Sequence, residues 1–351
     1  MIPVLEAVPN LSFGRDSELL ERCVECVAGE GAEVLDCSSD PDHNRSVLTF
    51  VGAPDRVESA AVALAGLAKE SIDLRSHQGV HPRIGALDVL PFIPLEGLGM
   101  ADAVRSARRV GRRIADEVGL PVYFYAEAST PPGRSLAAVR RGGFEALLAE
   151  EDEGWANSER IVPDLAPGFR VHPTAGAVCV GARPLLLAWN VDVSGLDEAT
   201  LRRLAGEIRE SSGGIPGVRA LGLVLAEQGR MQISMNLEDA GRRDPFEVFR
   251  RIEERVESEG GRVAGTEIIG LCPDALLAGA GVDRLAVLDR TPPKVLSSRV
   301  AEHRIGRLST AAARVLDVAG KLESPIPSPL NDELKRLSAE LTGSRDRDET
   351  G

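Results

Sequence analysis

Asn44-Arg-Ser-Val-Leu-Thr-Phe-Val-Gly-Ala-Pro-Asp-Arg-Val-Glu-Ser-Ala-Ala-Val-Ala-Leu-Ala-Gly-Leu-Ala68 changes its hydrophobic period halfway along. Ser46 to Val51 is a short, mostly apolar run, whereas Val57, Ala61, Leu64, Ala65 and Ala68 recur at spacings of three and four. The first pattern suits a strand and the second the inward stripe of a helix. Working outward, Pro3 to Val8 reads as a strand, Asp16 to Ala28 as a helix and Ala32 to Cys37 as a strand. Beyond the stretch, the helix runs on from Asp55 to Leu74 and a strand follows from Ala86 to Ile93. The order is β-α-β-β-α-β.

The same order returns later in the chain. Strand Leu185 to Val193, helix Asp197 to Glu210, strands Ala220 to Leu225 and Met231 to Asn236, helix Pro245 to Glu257 and strand Arg262 to Ile268 repeat it. Asp197 is the expected N-cap of its helix, and Glu227-Gln-Gly-Arg230 the expected hairpin turn. Between the repeats lie a helix from Ala101 to Glu117, whose Arg105, Arg108, Arg109, Arg112 and Arg113 form a solvated face, and a short strand from Val122 to Tyr125. Residues 131–174 are rich in Gly, Pro and charge, which marks a boundary zone. The expected fold class is therefore α+β, with two ferredoxin-like subdomains side by side and a cleft between them. Their expected limits are 1–178 and 179–330, followed by a C-terminal helix and polar tail over 331–351.

Composition sets outer bounds. A chain of 351 residues, 43% hydrophobic, has the length for about two domains with real cores. Its formal net charge of -13 argues against nucleic acid or an anionic membrane as a partner, so an anionic ligand must meet a local arginine cluster. The N-terminus lacks both a basic segment and a long apolar run, from which a cytoplasmic location is expected. The five cysteines make no disulfide framework, and Cys23 of Cys23-Val-Glu-Cys26 falls on the apolar stripe of its helix, where a thiol packs as a small hydrophobe. No zinc set follows, and no metal is expected.

The chemistry concentrates in His77-Gln-Gly-Val-His81-Pro-Arg-Ile-Gly-Ala-Leu-Asp88, between the helix and the next strand. Gly79 and Gly85 permit backbone that other residues avoid, and Pro82 biases His81 toward an extended conformation. Both histidines are thus loop residues. On residue type alone, a proton carrier and a hydrogen-bonding cap both stay open for them.

The segment from His77 to Pro94 resembles the signature loop of the glutamate formimidoyltransferases, H-x-G-x-H-P-R-x-G-A-L-D-V-x-P-F-I-P. Ala7-Val-Pro-Asn10, Asn44 to Gly52 and Pro121 to Ala128 resemble further blocks of that family, and the resemblance runs from about residue 5 to about residue 273. It departs at Phe13, where the family carries an acidic residue, and at Gly214, where the animal proteins carry a basic one.

What the resemblance implies is transfer of a formimidoyl group from N-formimidoyl-L-glutamate to N5 of tetrahydrofolate, with tetrahydrofolate as co-substrate. It implies His81 as the catalytic residue, and Pro167, Gly168, Phe169, Arg170, Val171, His172, Pro173, Thr174, Ala175 and Gly176 as the folate-contacting segment. Charge complementarity to substrate carboxylates and a cationic amidine adds Arg45, Arg83, Arg183 and Asp42, with His77 as a helper and Asp40, Asp88 and Glu127 as further carboxylates. A homodimer is expected. So is a separate cyclodeaminase, since the roughly two hundred residues of the fused animal domain have no room here. Three alternatives stand beside this: formyl transfer from N-formylglutamate, a non-catalytic amino-acid or folate binder, and a metal hydrolase using His77, His81, Asp88 and His172.

Overall fold

The computed structural model describes residues 3–79, 82–154, 161–225, 229–238 and 245–272, together with Leu296, Arg299, Val300, His303 and Gly306. His81 lies outside these residues, as do Glu227 and Gln228 and the C-terminal helix and tail expected over 331–351. The chain divides into two compact units, 1–294 and 295–351. In the second, the five described residues are helical, and Leu296, Val300 and His303 are buried.

Within the first unit, the leading half runs β1 (Leu5–Ala7), β2 (Asn10–Leu11), α1 (Ser17–Gly29), β3 (Glu33–Asp40), β4 (Arg45–Gly52), α2 (Pro54–Ser71) and β5 (Leu87–Pro94). β1 and β2 both lie between β4 and β5, antiparallel to each, and β3 pairs with β4. Asp16 caps α1 by accepting from the Leu19 amide, and the helix buries Leu19, Cys23 and Val27. After β5 come α3 (Met100–Arg113), a π turn over Ile114–Val118, β6 (Val122–Ala126), α4 (Leu136–Val139), α5 (Gly143–Asp152) and β7 (Val178–Ala182). Two short helices thus occupy a zone expected to be irregular. With only Phe144 and Leu147 buried on α5, its apolar stripe is too short to stand out among glycines and acids.

β7 pairs in parallel with both β5 and β6, setting Cys179 beside Val89 and Tyr123. The expected boundary between 178 and 179 would cut this strand, so the first sheet runs on to Ala182. The trailing half holds β8 (Leu187–Ser194), α6 (Glu198–Ile208), β9 (Val218–Leu225), β10 (Arg230–Leu237), α7 (Pro245–Ser258) and β11 (Arg262–Ile269). Its sheet order is β11-β8-β10-β9. Counting β1 and β2 as one strand, followed by β3, β4 and β5, the fourth strand of each half neighbours the first, and the third lies between first and second.

Strand alternation gives each sheet two unlike faces. Leu5, Ala7, Leu48, Phe50 and Phe92 join one core with the apolar stripes of the helices, and Trp189, Val191 and Ile233 join a second with Phe249, which stacks on Trp189. Opposite parity in β1 and β4 puts Glu6, Arg45 and Thr49 on the other face of the first sheet. On the corresponding face of the second sheet, Gln232 lies opposite Asp192 and Glu267 opposite Asn190. These polar faces matter for function. Among the described residues no helix is long and apolar enough to cross a membrane, and none form a group of three or more His, Cys, Asp or Glu able to hold a metal ion.

Candidate active site

The histidine loop leaves α2 at Ile72 and is tied down within two residues, because the Leu74 amide donates to the Thr174 carbonyl at 2.9 Å. Its next anchor is the turn between β3 and β4. His77 Nε2 lies 2.8 Å from the Asn44 carbonyl oxygen, and the Asn44 side chain donates to the Gln78 carbonyl at 3.0 Å while accepting from the Gly14 amide at 2.8 Å. Asn44 does this from a left-handed backbone, φ 46°, which Asn tolerates better than most residues. The approach is close enough to require Gly79, since a Cβ there would sit 2.4 Å from the His43 carbonyl oxygen.

A carbonyl oxygen can only accept, so His77 Nε2 carries the proton and Nδ1 the lone pair. Burial pulls the His77 pKa below its ordinary value; the Asn44 bond raises it, nearby Arg83 and Arg15 lower it, and Glu145 raises it. The net direction keeps the ring neutral at pH 7.

Arg83 takes a different place from the one charge complementarity assigns it. Its Nη2 donates to the carbonyls of Leu74 at 3.3 Å and His77 at 3.1 Å and to Glu145 Oε1 at 2.8 Å, so its carboxylate partner is supplied by the protein. The Phe144 amide returns a bond to the Arg83 carbonyl at 2.9 Å, docking the start of α5 on the loop.

Asp88 follows on β5 with no exposed surface. One oxygen accepts from the Ile84 amide at 2.9 Å; the other accepts from Arg45 Nη1 at 3.1 Å and from Arg140 Nη2. Burial would raise the Asp88 pKa, but Arg140, Arg45 and the Ile84 amide outweigh it and hold the carboxyl ionised. Arg45 also donates to Asn10 Oδ1 at 2.7 and 3.0 Å, and burial followed by Arg140 brings its pKa down to about 10. Arg140, which the sequence did not single out, keeps a buried Nε with no hydrogen-bond partner. Two arginines therefore converge on one carboxylate.

On the same sheet face, Glu6 is 2% exposed and its Oε2 has no hydrogen-bond partner. Burial lifts its pKa to about 7, against the pull of Arg183. Arg183 in turn acts electrostatically on Tyr125 and donates to the Pro184 carbonyl at 3.0 Å. A glutamate inside Val4-Leu-Glu-Ala-Val8 was the available signal for this group: a charge in the middle of an apolar strand calls for a partner.

The segment 167–176 comes to the same loop. Gly176 faces Gly85 in an isolated bridge, and the Ala177 amide donates to the Ile84 carbonyl at 2.9 Å. Val171 and Ala175 are buried. His172 Nδ1 accepts from the amides of Thr174 at 3.3 Å and Ala175 at 3.1 Å, closing its own turn, and its ring meets Phe169 edge-on at 5.7 Å. Gly168, Phe169 and Arg170, with Glu151, Gly154 and Ala166, line a hollow of about 360 Å³. Asp42 is buried in the turn that carries His43 and Asn44, whereas Glu127 lies exposed past the end of β6.

The second sheet brings its polar face within electrostatic reach of the first. Glu267 has a pKa raised by burial and by Asp40 and Asp192, and partly offset by Asn190 and Arg230. Asp192 itself accepts from Gln232 at 3.0 Å and pairs with Arg230. Asp40 on β3 and Glu267 on β11 thus lie within electrostatic reach of each other.

Two family models match successive parts of the chain: the formiminotransferase domain, N-terminal subdomain, over residues 4–183, and the formiminotransferase domain over residues 188–282. Among its relatives is the glutamate formimidoyltransferase of Thermoplasma acidophilum, 37% identical over 276 residues that cover 78% of this chain and 89% of that protein. The glutamate formimidoyltransferase of Streptococcus pyogenes is 36% identical over 82% of this chain and 95% of its own length. The formimidoyltransferase-cyclodeaminase of Sus scrofa is 39% identical over 80% of this chain but only 52% of its own length.

Proposed function

The chain belongs to the formiminotransferase family, and from that premise we propose that it moves the formimidoyl group of N-formimidoyl-L-glutamate to N5 of tetrahydrofolate, giving 5-formimidoyltetrahydrofolate and L-glutamate. The observation that carries this reading is the match along both halves to relatives named for that transfer, each covered over about nine-tenths of its length. In the reaction an amine attacks the amidine carbon, a tetrahedral intermediate forms, and the glutamate nitrogen leaves after gaining a proton. His81, from its place in the His77 to Asp88 motif, is the proposed acid-base residue.

The polar faces supply the matching electrostatics. Arg45 and Arg140 around Asp88, and Arg183 beside Glu6, suit a substrate pair rich in carboxylates. Equivalent strand orders in the two halves support paired ferredoxin-like subdomains, with tetrahydrofolate lying between their polar faces and against residues 167–176. The homodimer and a cyclodeaminase partner rest on the family resemblance.

The test is release of glutamate from N-formimidoyl-L-glutamate, and separately from N-formylglutamate, in the presence of tetrahydrofolate. Release from the first donor supports the reading, release from the formyl donor alone replaces it with formyl transfer, and release from neither rejects both. In a protein that turns over the first donor, His81→Ala is expected to lose on the order of 10²-fold or more in kcat.

A further inference from the structure

The loop carries a histidine whose basic nitrogen has no assigned use. His77 is locked as the Nε2–H tautomer by the Asn44 carbonyl at 2.8 Å, which leaves the Nδ1 lone pair unprotonated. That Nδ1 is buried and has no hydrogen-bond partner. His172 shows the contrast. It too must present an unprotonated Nδ1, but the amides of Thr174 and Ala175 occupy it. A buried acceptor is normally satisfied, so one left open in the loop that Leu74 ties to Thr174 marks a place for a donor that arrives with the ligand.

Held by Asn44, and with its carbonyl fixed by Arg83, the His77 ring has a set direction. Charged groups facing it are Arg83, Arg15 and Glu145; the first two favour the neutral ring and the third opposes them. The transfer needs one proton removed from N5 and one delivered to the departing nitrogen. A ring held neutral is prepared for the first task only.

We propose that His77 is a second catalytic residue of the transfer, its Nδ1 accepting the proton that N5 of tetrahydrofolate releases as the N5–carbon bond forms. This rests on the transfer reading given above. Collapse of the intermediate then breaks the bond between carbon and the glutamate nitrogen, that nitrogen taking a proton from the acid assigned to His81. His77 ends the cycle protonated and His81 deprotonated; His77 releases its proton to solvent and His81 takes one from solvent, which resets both. No oxidant or further reactant enters.

The experiment uses the full chain and reads glutamate release against pH, alongside thermal melting. His77→Gln keeps a side-chain N–H for the Asn44 carbonyl but removes the basic nitrogen. Expected are a melting curve like that of the wild type, KM values within a few-fold, and a kcat lower by on the order of 10²-fold, with the acidic limb of the kcat profile lost. Wild-type kcat in His77→Gln, or a lower kcat that keeps the acidic limb, overturns the assignment. Should His77→Gln melt early, His77→Ala with added imidazole decides: restored rate supports the assignment, and no restoration overturns it. A wild-type protein that releases no glutamate rejects the transfer reading itself, a result separable from either.

Discussion

His77 donates its Nε2 proton to the backbone carbonyl of Asn44 across 2.8 Å, and it can do so because Asn44 turns that carbonyl toward the loop from a left-handed conformation. One residue thereby fixes two chain segments through both its backbone and its side chain, which spans the Gly14 amide and the Gln78 carbonyl. An alanine here would hold the strained backbone without either side-chain bond. Alanine tolerates the left-handed backbone about 1 kcal/mol less well than asparagine, and with about 1 kcal/mol for each lost bond Asn44→Ala is expected to cost about 3 kcal/mol. Asn44→Gly relieves the strain and is expected to cost about 2 kcal/mol, mostly from the lost bonds. Urea unfolding of the two variants checks the order, which reverses if the backbone is not under strain.

Glu6 should make stability fall as the solution becomes alkaline. Its folded pKa of about 7 stands above the ordinary value of 4.5, so the folded state binds the extra proton between those two values. The contribution is whole below pH 4.5 and lost as pH rises through 7, to an extent on the order of 3 kcal/mol. Glu6→Gln keeps the shape and removes the titration. The variant is expected to lose less melting temperature than the wild type between pH 5 and pH 8, and parallel slopes would assign the burial no such cost.

Arg83 and Glu145 should separate although they form one ion pair. Glu145 is 66% exposed and Arg83 12% exposed on their side chains, so the pair itself is screened and worth under about 1 kcal/mol. Arg83 additionally satisfies the Leu74 and His77 carbonyls. Glu145→Ala is therefore expected to leave melting temperature within about 2 °C of the wild type, whereas Arg83→Ala lowers stability by about 2 kcal/mol and lowers kcat through the loosened loop. Differential scanning calorimetry with steady-state rates reads both. A loss confined to substrate affinity in Arg83→Ala would return that side chain to the ligand.

Much of the architecture was legible because period and length report on local structure. The switch from Ser46–Val51 to the Val57–Ala68 stripe identifies β4 and α2, and Asp197 caps its helix as the sequence suggests. The site was legible only where a motif is contiguous. His77, Gly79 and Gly85 lie in one stretch, but Arg140 reaches Asp88 across 52 positions, and nothing in its own neighbourhood, Val139-Arg-Arg-Gly142, distinguishes it from Arg141. The same limit hid β7, whose pairing with β5 is a long-range parallel contact that no short-range pattern encodes, and it misassigned Arg83, whose partner Glu145 lies 62 positions away.

Gly176 and Gly168 belong to one expected folate-contacting segment, and they should respond unequally to alanine. Both have positive φ, 69° and 93°. At Gly168 a Cβ meets nothing within 4 Å, so Gly168→Ala is expected to cost about 1–2 kcal/mol from backbone strain alone. At Gly176 the Cβ would lie 1.9 Å from the Ile84 carbonyl oxygen. That oxygen accepts the Ala177 amide, so the clash cannot be relieved without opening the bridge between Gly176 and Gly85. Opening it frees the segment from the histidine loop, and the two reactants then lose their common register. Gly176→Ala is expected to lose at least tenfold more kcat/KM for tetrahydrofolate than Gly168→Ala, with faster amide hydrogen exchange at Ala86 and Ala177, which mark the seam. Equal losses would mean that folate meets the open end of the segment near Phe169, and that the seam at Gly85 serves the fold alone.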